Sequence, residues 1–152
     1  MENIVKQPGT RRQARELAAQ FLYQYDVNGG TIDEILSLFW ETQSEVSRAA
    51  GKFAEELIRG CVEKRAVIDE KIQQYTEHWE ISRIATVDRN ILRLAMYEML
   101  FRDDIPPVVS INEAVDIAKK FSTQESGAFV NGILDRLKAD LPRPARTAAG
   151  SR

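Results

Sequence analysis

Three arginines, Arg11, Arg12 and Arg15, lie close together near the start of the chain, and Tyr23 follows them. A guanidinium group binds a phosphate through two parallel N–H bonds, and an exposed aromatic ring can stack on an unpaired base. Together these residue types predict binding of single-stranded RNA. The arginines alone fit an ordinary solvated helix face equally well, so the hypothesis needs support from the rest of the chain.

The arginines occupy the first turns of the clearest amphipathic pattern in the sequence. Thr10 can cap this helix, and its apolar face consists of Ala14, Leu17, Ala18, Phe21, Leu22 and Tyr25. Because cations oppose the positive end of the helix dipole, three arginines there favour a ligand that supplies negative charge. We expect their guanidinium groups to lie off the apolar face and to be free. Residues 1–9 show no periodicity and are predicted to be a flexible basic arm that carries Lys6.

The sequence lacks the residue patterns of common enzymes. It has no glycine-rich phosphate loop, no G-x-S-x-G motif and no H-E-x-x-H motif. One cysteine, Cys61, and one histidine, His78, cannot form an internal disulfide or a Cys/His zinc cluster, and Cys61 fits a helix face as a small core residue. Glu98 falls on the most apolar helix, where we expect it to pair with Arg102 or with a helix N-terminus. We therefore expect a binding protein with no catalytic residues, metal or cofactor.

The most apolar stretch, residues 87–101, has hydrophobic side chains on nearly every side and is predicted to be a buried central helix. Its first half also contains Asp88, Arg89 and Arg93. We therefore expect that end of the helix to meet water or a partner. The two consecutive prolines that follow the helix prevent its continuation.

The helical pattern recurs along the chain, and no stretch alternates polar and apolar residues as a strand does. We predict an all-α fold of about seven helices in two packed helical subdomains. The N-terminal subdomain covers residues 10–80 and the C-terminal subdomain covers residues 81–140. Residues 141–152 are polar and are predicted to be a disordered tail.

Two local features of the C-terminal half also give predictions. Ser110 and Glu113 have the spacing of a capping box and are expected to open the helix after the prolines. Gly132 lies in mid-helix, where glycine costs about 1 kcal/mol relative to alanine. We expect another helix to pass close to Gly132.

The composition is that of an ordinary globular protein, with 152 residues of which 43% are hydrophobic and 29% charged. No apolar run approaches the ~20 residues of a membrane helix and no signal-peptide core is present, so we expect a cytoplasmic protein without a membrane partner. The net charge of -2 is uneven: residues 1–25 carry four basic and two acidic side chains, whereas residues 26–80 carry six basic and twelve acidic ones. The basic segment at 1–25 can bind phosphate, and the acidic segment at 26–80 can bind a basic protein. Ordinary solvated faces also explain the acidic middle.

Three separated blocks carry a family resemblance: RRQARELAAQFLYQYD at 11–26, VDRNILRLAMYEM at 87–99, and INEAVDIAKKF with FVNGILDRL within 111–137. In this order they resemble the NusB family of bacterial transcription antitermination factors. The resemblance implies an all-helical fold, binding of boxA RNA from ribosomal RNA leaders, and a heterodimer with NusE, a ribosomal protein of the small subunit. It also implies a role in the antitermination complex of RNA polymerase. Whether two copies form a homodimer is left open by the sequence.

The resemblance places RNA on the arginine-rich N-terminus and on a neighbouring patch of the last helices. With Lys6 of the arm added, the expected RNA contacts are Lys6, Arg11, Arg12, Arg15, Tyr23, Phe121, Glu125 and Phe129. Composition alone favours core positions for Phe121 and Phe129. Asp88 matches a family acid near the NusE surface, and we expect it to be exposed at the start of its helix.

Two other functions fit parts of the sequence. A helical protein-interaction scaffold would use the basic helix to bind an acidic partner, and RNA would play no part. The RNA-binding appendage of a ribosomal RNA methyltransferase also resembles NusB. We expect the chain to lack the catalytic half of such an enzyme.

Overall fold

The computed structural model describes residues 9–76 and 79–142. These residues form seven α-helices and one short 3-10 helix at Ile81–Arg83; the α-helices are α1 Thr10–Asn28, α2 Ile32–Glu41, α3 Arg48–Glu63, α4 Arg65–Tyr75, α5 Thr86–Phe101, α6 Pro107–Phe121 and α7 Gln124–Asp140. None of the described residues lies in a β-strand, so the predicted all-α class is confirmed. No helix in these two ranges is both long enough and apolar enough to cross a membrane. Most of the predicted arm and tail lies outside the described residues.

Helix α5 lies at the centre of the fold and packs against α1, α3, α4, α6 and α7. Its buried hydrophobic side chains are Ile91, Leu92, Leu94, Ala95, Met96 and Met99, as the sequence predicts. Its first half was expected to meet water or a partner; contact with water is wrong for Arg93 and Asp88, which are 4% and 8% exposed. Carboxylates of α1 and α4 bind Arg93, and a serine of α7 donates to Asp88, so neighbouring helices cover both side chains.

Helix α6 begins at Pro107 and not at Ser110. Proline suits the first position of a helix because its missing N–H would have no partner there and its fixed φ is already helical. Ser110 lies in the first turn, where its hydroxyl donates to Glu98 at 2.7 Å. The capping-box prediction is therefore wrong. Likewise, Thr10 is the first residue of α1 and not its cap.

The helices of the two predicted subdomains share one continuous set of buried hydrophobic side chains. Helix α1 packs on both α3 and α5, which lie on opposite sides of the predicted boundary. Cys61 is part of this core, with 2% exposure, and burial raises the pKa of its thiol to about 12. The division after residue 80 stays a prediction.

The close approach of two helices occurs at Gly60 and not at Gly132. A Cβ atom on Gly60 would overlap the ring and the hydroxyl group of Tyr97, because that ring of α5 lies directly on the α3 backbone. A Cβ atom on Gly132 would meet no atom within 4 Å. The prediction for Gly132 is therefore wrong.

Replacing Gly60 by alanine should destabilise the fold by about 1–3 kcal/mol, because the new methyl group must displace Tyr97 from α5. Gly132→Ala is the matched control: it enters open space and should stabilise the protein by about 0.5–1 kcal/mol through helix propensity. Urea unfolding of both variants measures the difference. Equal stabilisation by the two substitutions would contradict the close approach of α3 and α5.

Candidate nucleic-acid interface

Arg12 lies where α1 runs beside α6, and two carboxylates of α6 hold it. Its Nε and NH2 atoms donate to the Glu113 carboxylate at 2.5 and 2.9 Å, and NH2 also donates to Asp116 at 2.9 Å. The bond to Glu113 raises the pKa of Arg12 above its already high value, and the same bond holds the pKa of Glu113 below its usual range. The Arg12 side chain is 32% exposed. It therefore forms part of the surface, but with its charge largely neutralised.

Arg15 is buried between α1, α5 and α6. Its side chain is 4% exposed and donates to Glu98, itself 1% exposed, at 2.7 and 3.1 Å. Ser110 donates to the same carboxylate at 2.7 Å. Of the two expected partners of Glu98, Arg102 is wrong, because it bonds to Asp104, whereas the other, a helix N-terminus, is represented by Ser110 in the first turn of α6. Arg15 thus fixes α1 against the central helix and presents no guanidinium to solvent.

Arg11 is the most exposed of the three arginines, with 52% of its side chain accessible. Its guanidinium carbon lies 4.2 Å from the centre of the Phe53 ring. Its NH2 atom lies 3.9 Å from an oxygen of Asp104, beyond hydrogen-bond distance. The expectation of three free guanidinium groups is therefore wrong for Arg12 and Arg15, and Arg11 alone of the three keeps most of its donors open.

An open groove lies between α1, α5 and the end of α6, and Tyr23 and Phe121 both line it. The two rings are 40% and 37% exposed, and the groove has a volume of about 260 Å³. Its other lining residues are Ala19, Gln20, Gln24, Val87 and Ile91. Lys120 lies 5.7 Å from the centre of the Phe121 ring. The structure thus brings together two of the predicted stacking residues, which are far apart in sequence.

The other predicted RNA contacts lie outside this groove. Glu125 is exposed in the first turn of α7, where the helix dipole favours its charge. Phe129 is partly buried and packs against the core. Lys6 lies outside the described residues.

Asp88 is buried beside α7, so the expectation that it is exposed is wrong. Its Oδ2 atom accepts a hydrogen bond from the Ser126 hydroxyl at 3.3 Å, and within the described part of the chain its Oδ1 atom has no hydrogen-bond partner. Burial raises the pKa of Asp88, and the bond from Ser126 only partly opposes this. The carboxylate therefore has one oxygen without a donor at the start of α5.

Glu113 and Asp116, the carboxylates that hold Arg12, were not predicted as its partners from the sequence. Glu113 and Asp116 are three positions apart and so share one face of α6, and this spacing was the available signal. The spacing does not tell which helix that face meets. Only the packing of α1 on α6 identifies Arg12 as the partner.

Residues 12–139 match the model of the NusB family. The chain is 50% identical over 135 residues to the transcription antitermination protein NusB of Geobacter sulfurreducens, covering 88% of this chain and 97% of that protein. It is 47% identical over 131 residues to the same protein of Desulforapulum autotrophicum, covering 86% and 92%.

Two solved structures show the same fold. NusB of T. maritima superposes with a TM-score of 0.82 at 38% identity, covering 95% of this chain and 99% of that one. A chain from the crystal structure of antitermination factors NusB and NusE in complex with dsRNA gives a TM-score of 0.80 at 29% identity, covering 87% and 98%. The sequence comparisons and the structural comparisons therefore identify the same family.

Proposed function

This chain belongs to the NusB family, and from that premise we infer that it is a transcription antitermination protein that binds RNA together with NusE. The chain makes no bond and breaks none; it acts by holding RNA and a protein partner side by side. We propose single-stranded boxA RNA as the ligand, the antitermination complex of RNA polymerase as the assembly, and the cytoplasm as the location.

The groove with Tyr23 and Phe121 is the observation that carries the RNA hypothesis. Two exposed aromatic rings line the same groove, and base stacking on such rings stabilises RNA complexes by about 1–3 kcal/mol per base. The groove is mostly apolar, and Val87 and Ile91 of α5 also line it. A base that enters the groove can therefore stack on an aromatic ring in apolar surroundings, while its sugar and phosphate stay at the rim.

Phosphate contact in this proposal comes from Arg11 and, in part, from Arg12. Arg11 keeps most of its N–H donors open, and Arg12 retains a 32% exposed side chain. Arg15 acts as a positioning residue, because it holds α1 in place through Glu98. Lys6, Glu125 and Phe129 stay in the proposed contact set on the strength of the family resemblance.

We propose that NusE approaches the start of α5 near Asp88. Asp88 itself is covered by α7 and its Oδ1 atom is inaccessible to a partner, so this proposal rests on the family resemblance and on the residues around Asp88. This location lies beside Val87, which lines the RNA groove, so the two ligands would meet at one surface.

Replacing Phe121 or Tyr23 by alanine should weaken binding of single-stranded boxA RNA by about fivefold to a hundredfold, because one stacking contact is lost. Phe101→Ala is the control: Phe101 is also 38% exposed, but it lies on α5 against Tyr97 and does not line the groove. Gel-shift titration of the three variants measures the effect. Equal loss of affinity in all three would contradict a stacking site in the groove.

The same titration tests the function itself when it is run with boxA RNA, scrambled RNA and duplex RNA, each with and without NusE. We expect tightest binding of boxA RNA in the presence of NusE. Equal affinity for boxA and scrambled RNA would favour the scaffold alternative.

A further inference from the structure

Lys119 lies in the last turn of α6 and has no ion-pair partner among the described residues. Within the described residues no carboxylate lies within 4.0 Å of its ammonium group. Its neighbour Lys120 differs, because both oxygens of Glu16 accept from it at 3.0 and 3.1 Å. Of these two adjacent lysines, only Lys120 is paired with a carboxylate of the described residues.

Gly127 of α7 determines where the Lys119 side chain lies. A Cβ atom at Gly127 would lie 2.8 Å from Cγ, 3.0 Å from Cε and 3.4 Å from Cδ of Lys119. The lysine stem therefore lies across the α7 backbone, in space that any other residue would fill. Gly127 has no positive φ that would require glycine, and alanine would suit the helix better. The requirement for a small residue comes from the lysine above it.

The groove between α6 and α7 beside this lysine is polar and has a volume of about 580 Å³. Its lining includes the amide side chains of Asn112, Gln124 and Asn131. One carboxylate, Asp116, also lines the groove, where Arg12 holds it at 2.9 Å on the side of α1. Lys119 is the cationic side chain among the lining residues, and the amides supply neutral donors. A cation surrounded by N–H donors is suited to a phosphate group.

We propose that Lys119, held in place by Gly127, binds a phosphate of the RNA backbone next to the base that stacks on Phe121. The inference rests on the proposed function and extends the RNA site from the aromatic groove to the groove between α6 and α7. Lys119, Lys120 and Phe121 are consecutive, so the two grooves flank the same last turn of α6. A strand that crosses this turn contacts both grooves.

A lysine in the last turn of a helix also interacts favourably with the helix dipole. That interaction needs no particular residue on the facing helix, whereas the path of the Lys119 stem needs glycine at position 127. The helix dipole therefore accounts for a positive charge at position 119, but not for the close contact between the Lys119 stem and Gly127.

The test measures boxA RNA affinity against salt for the full chain and for Lys119→Gln, Gly127→Ala and the double variant. Lys119→Gln should lower the slope of log K against log salt by about 0.7, which corresponds to about fivefold weaker binding at 0.1 M salt. Gly127→Ala should weaken binding to a similar degree by displacing the lysine, while leaving the helix at least as stable. In the Lys119→Gln background, Gly127→Ala should have no further effect. Lys138→Gln, at the opposite end of α7, is the control of equal charge and should leave the slope unchanged.

The results that would contradict the proposal differ from one another, so each identifies which part of it is wrong. An unchanged slope in Lys119→Gln, with wild-type preference for boxA RNA intact, would remove Lys119 from the site and leave the proposed function standing. Additive losses in the double variant would show that Gly127 does not act through the lysine. Normal RNA binding with weaker NusE binding would assign this groove to the protein partner. No preference of the wild-type chain for boxA RNA would overturn the proposed function itself.

Discussion

Replacing Arg15 by methionine should lower the free energy of unfolding by about 3–5 kcal/mol, because it leaves the buried Glu98 carboxylate without a cation. After the substitution, only the Ser110 hydroxyl still donates to Glu98. The carboxylate is then buried without a cationic partner, which is the costly state. Urea unfolding at pH 7 measures the change.

The double variant Arg15→Met/Glu98→Met separates the loss of a charge pair from the loss of packing. A buried ion pair can often be replaced by apolar residues with little loss, so the double variant should recover much of the stability lost in the single one. It should also bind RNA with nearly wild-type affinity. Loss of RNA binding in a stably folded double variant would return Arg15 to the set of direct RNA contacts.

Replacing Asp26 by asparagine should lower the free energy of unfolding by about 3 kcal/mol at pH 7, because it removes the shared anion of a buried cationic cluster. One oxygen of Asp26 accepts from Arg89 at 2.8 Å, from Asn90 at 2.9 Å and from Arg93 at 2.8 Å. Arg65 reaches the other oxygen at 3.4 Å. The cluster joins α1, α4 and α5, so its loss should loosen three helices together.

The cluster also predicts a dependence on acid. Burial by itself would raise the pKa of Asp26, but the bonds from Arg89 and Asn90 outweigh it and hold the pKa well below its usual range. A depressed pKa in the folded state stabilises the protein above the unfolded value of about 3.9, and this contribution is lost as the pH falls through the folded value. The wild-type chain should therefore lose stability below about pH 4 more steeply than Asp26→Asn.

Asp33→Asn is the matched control for Asp26→Asn. Asp33 also pairs with an arginine, Arg59 at 2.9 Å, but its side chain is 74% exposed. Solvent screens such a pair, so its loss should change stability little at any pH. Parallel acid unfolding curves for the wild-type chain and Asp26→Asn would rule out the proposed role of the cluster.

Much of the fold could be read from the order of apolar residues. The period of about 3.6 residues predicted the helices, and the absence of a polar face predicted that residues 87–101 are central. The starts of helices were less predictable. Ser110 carries the local signal of a cap, but tertiary packing uses it as a hydrogen-bond donor to Glu98. A local signal fails where a distant partner offers a better bond.

The proposed RNA site was likewise predictable only in part. The resemblance pointed to Tyr23 and Phe121, and both line one groove in the structure. It could not show the path of Lys119 across Gly127, because that contact depends on how closely α6 and α7 approach. Nor could it show that Asp88 is covered by α7.

The sequence by itself determined the helical class, the central helix and the family, because these follow from periodicity and from blocks of residues in a fixed order. Only the tertiary structure decided which arginines are free. The carboxylates that neutralise Arg15 and Arg12 lie 83 and 101 positions away, at Glu98 and Glu113. A charge on a helix face is available to a ligand only if no distant carboxylate reaches it first, and that depends on the packing of helices against one another.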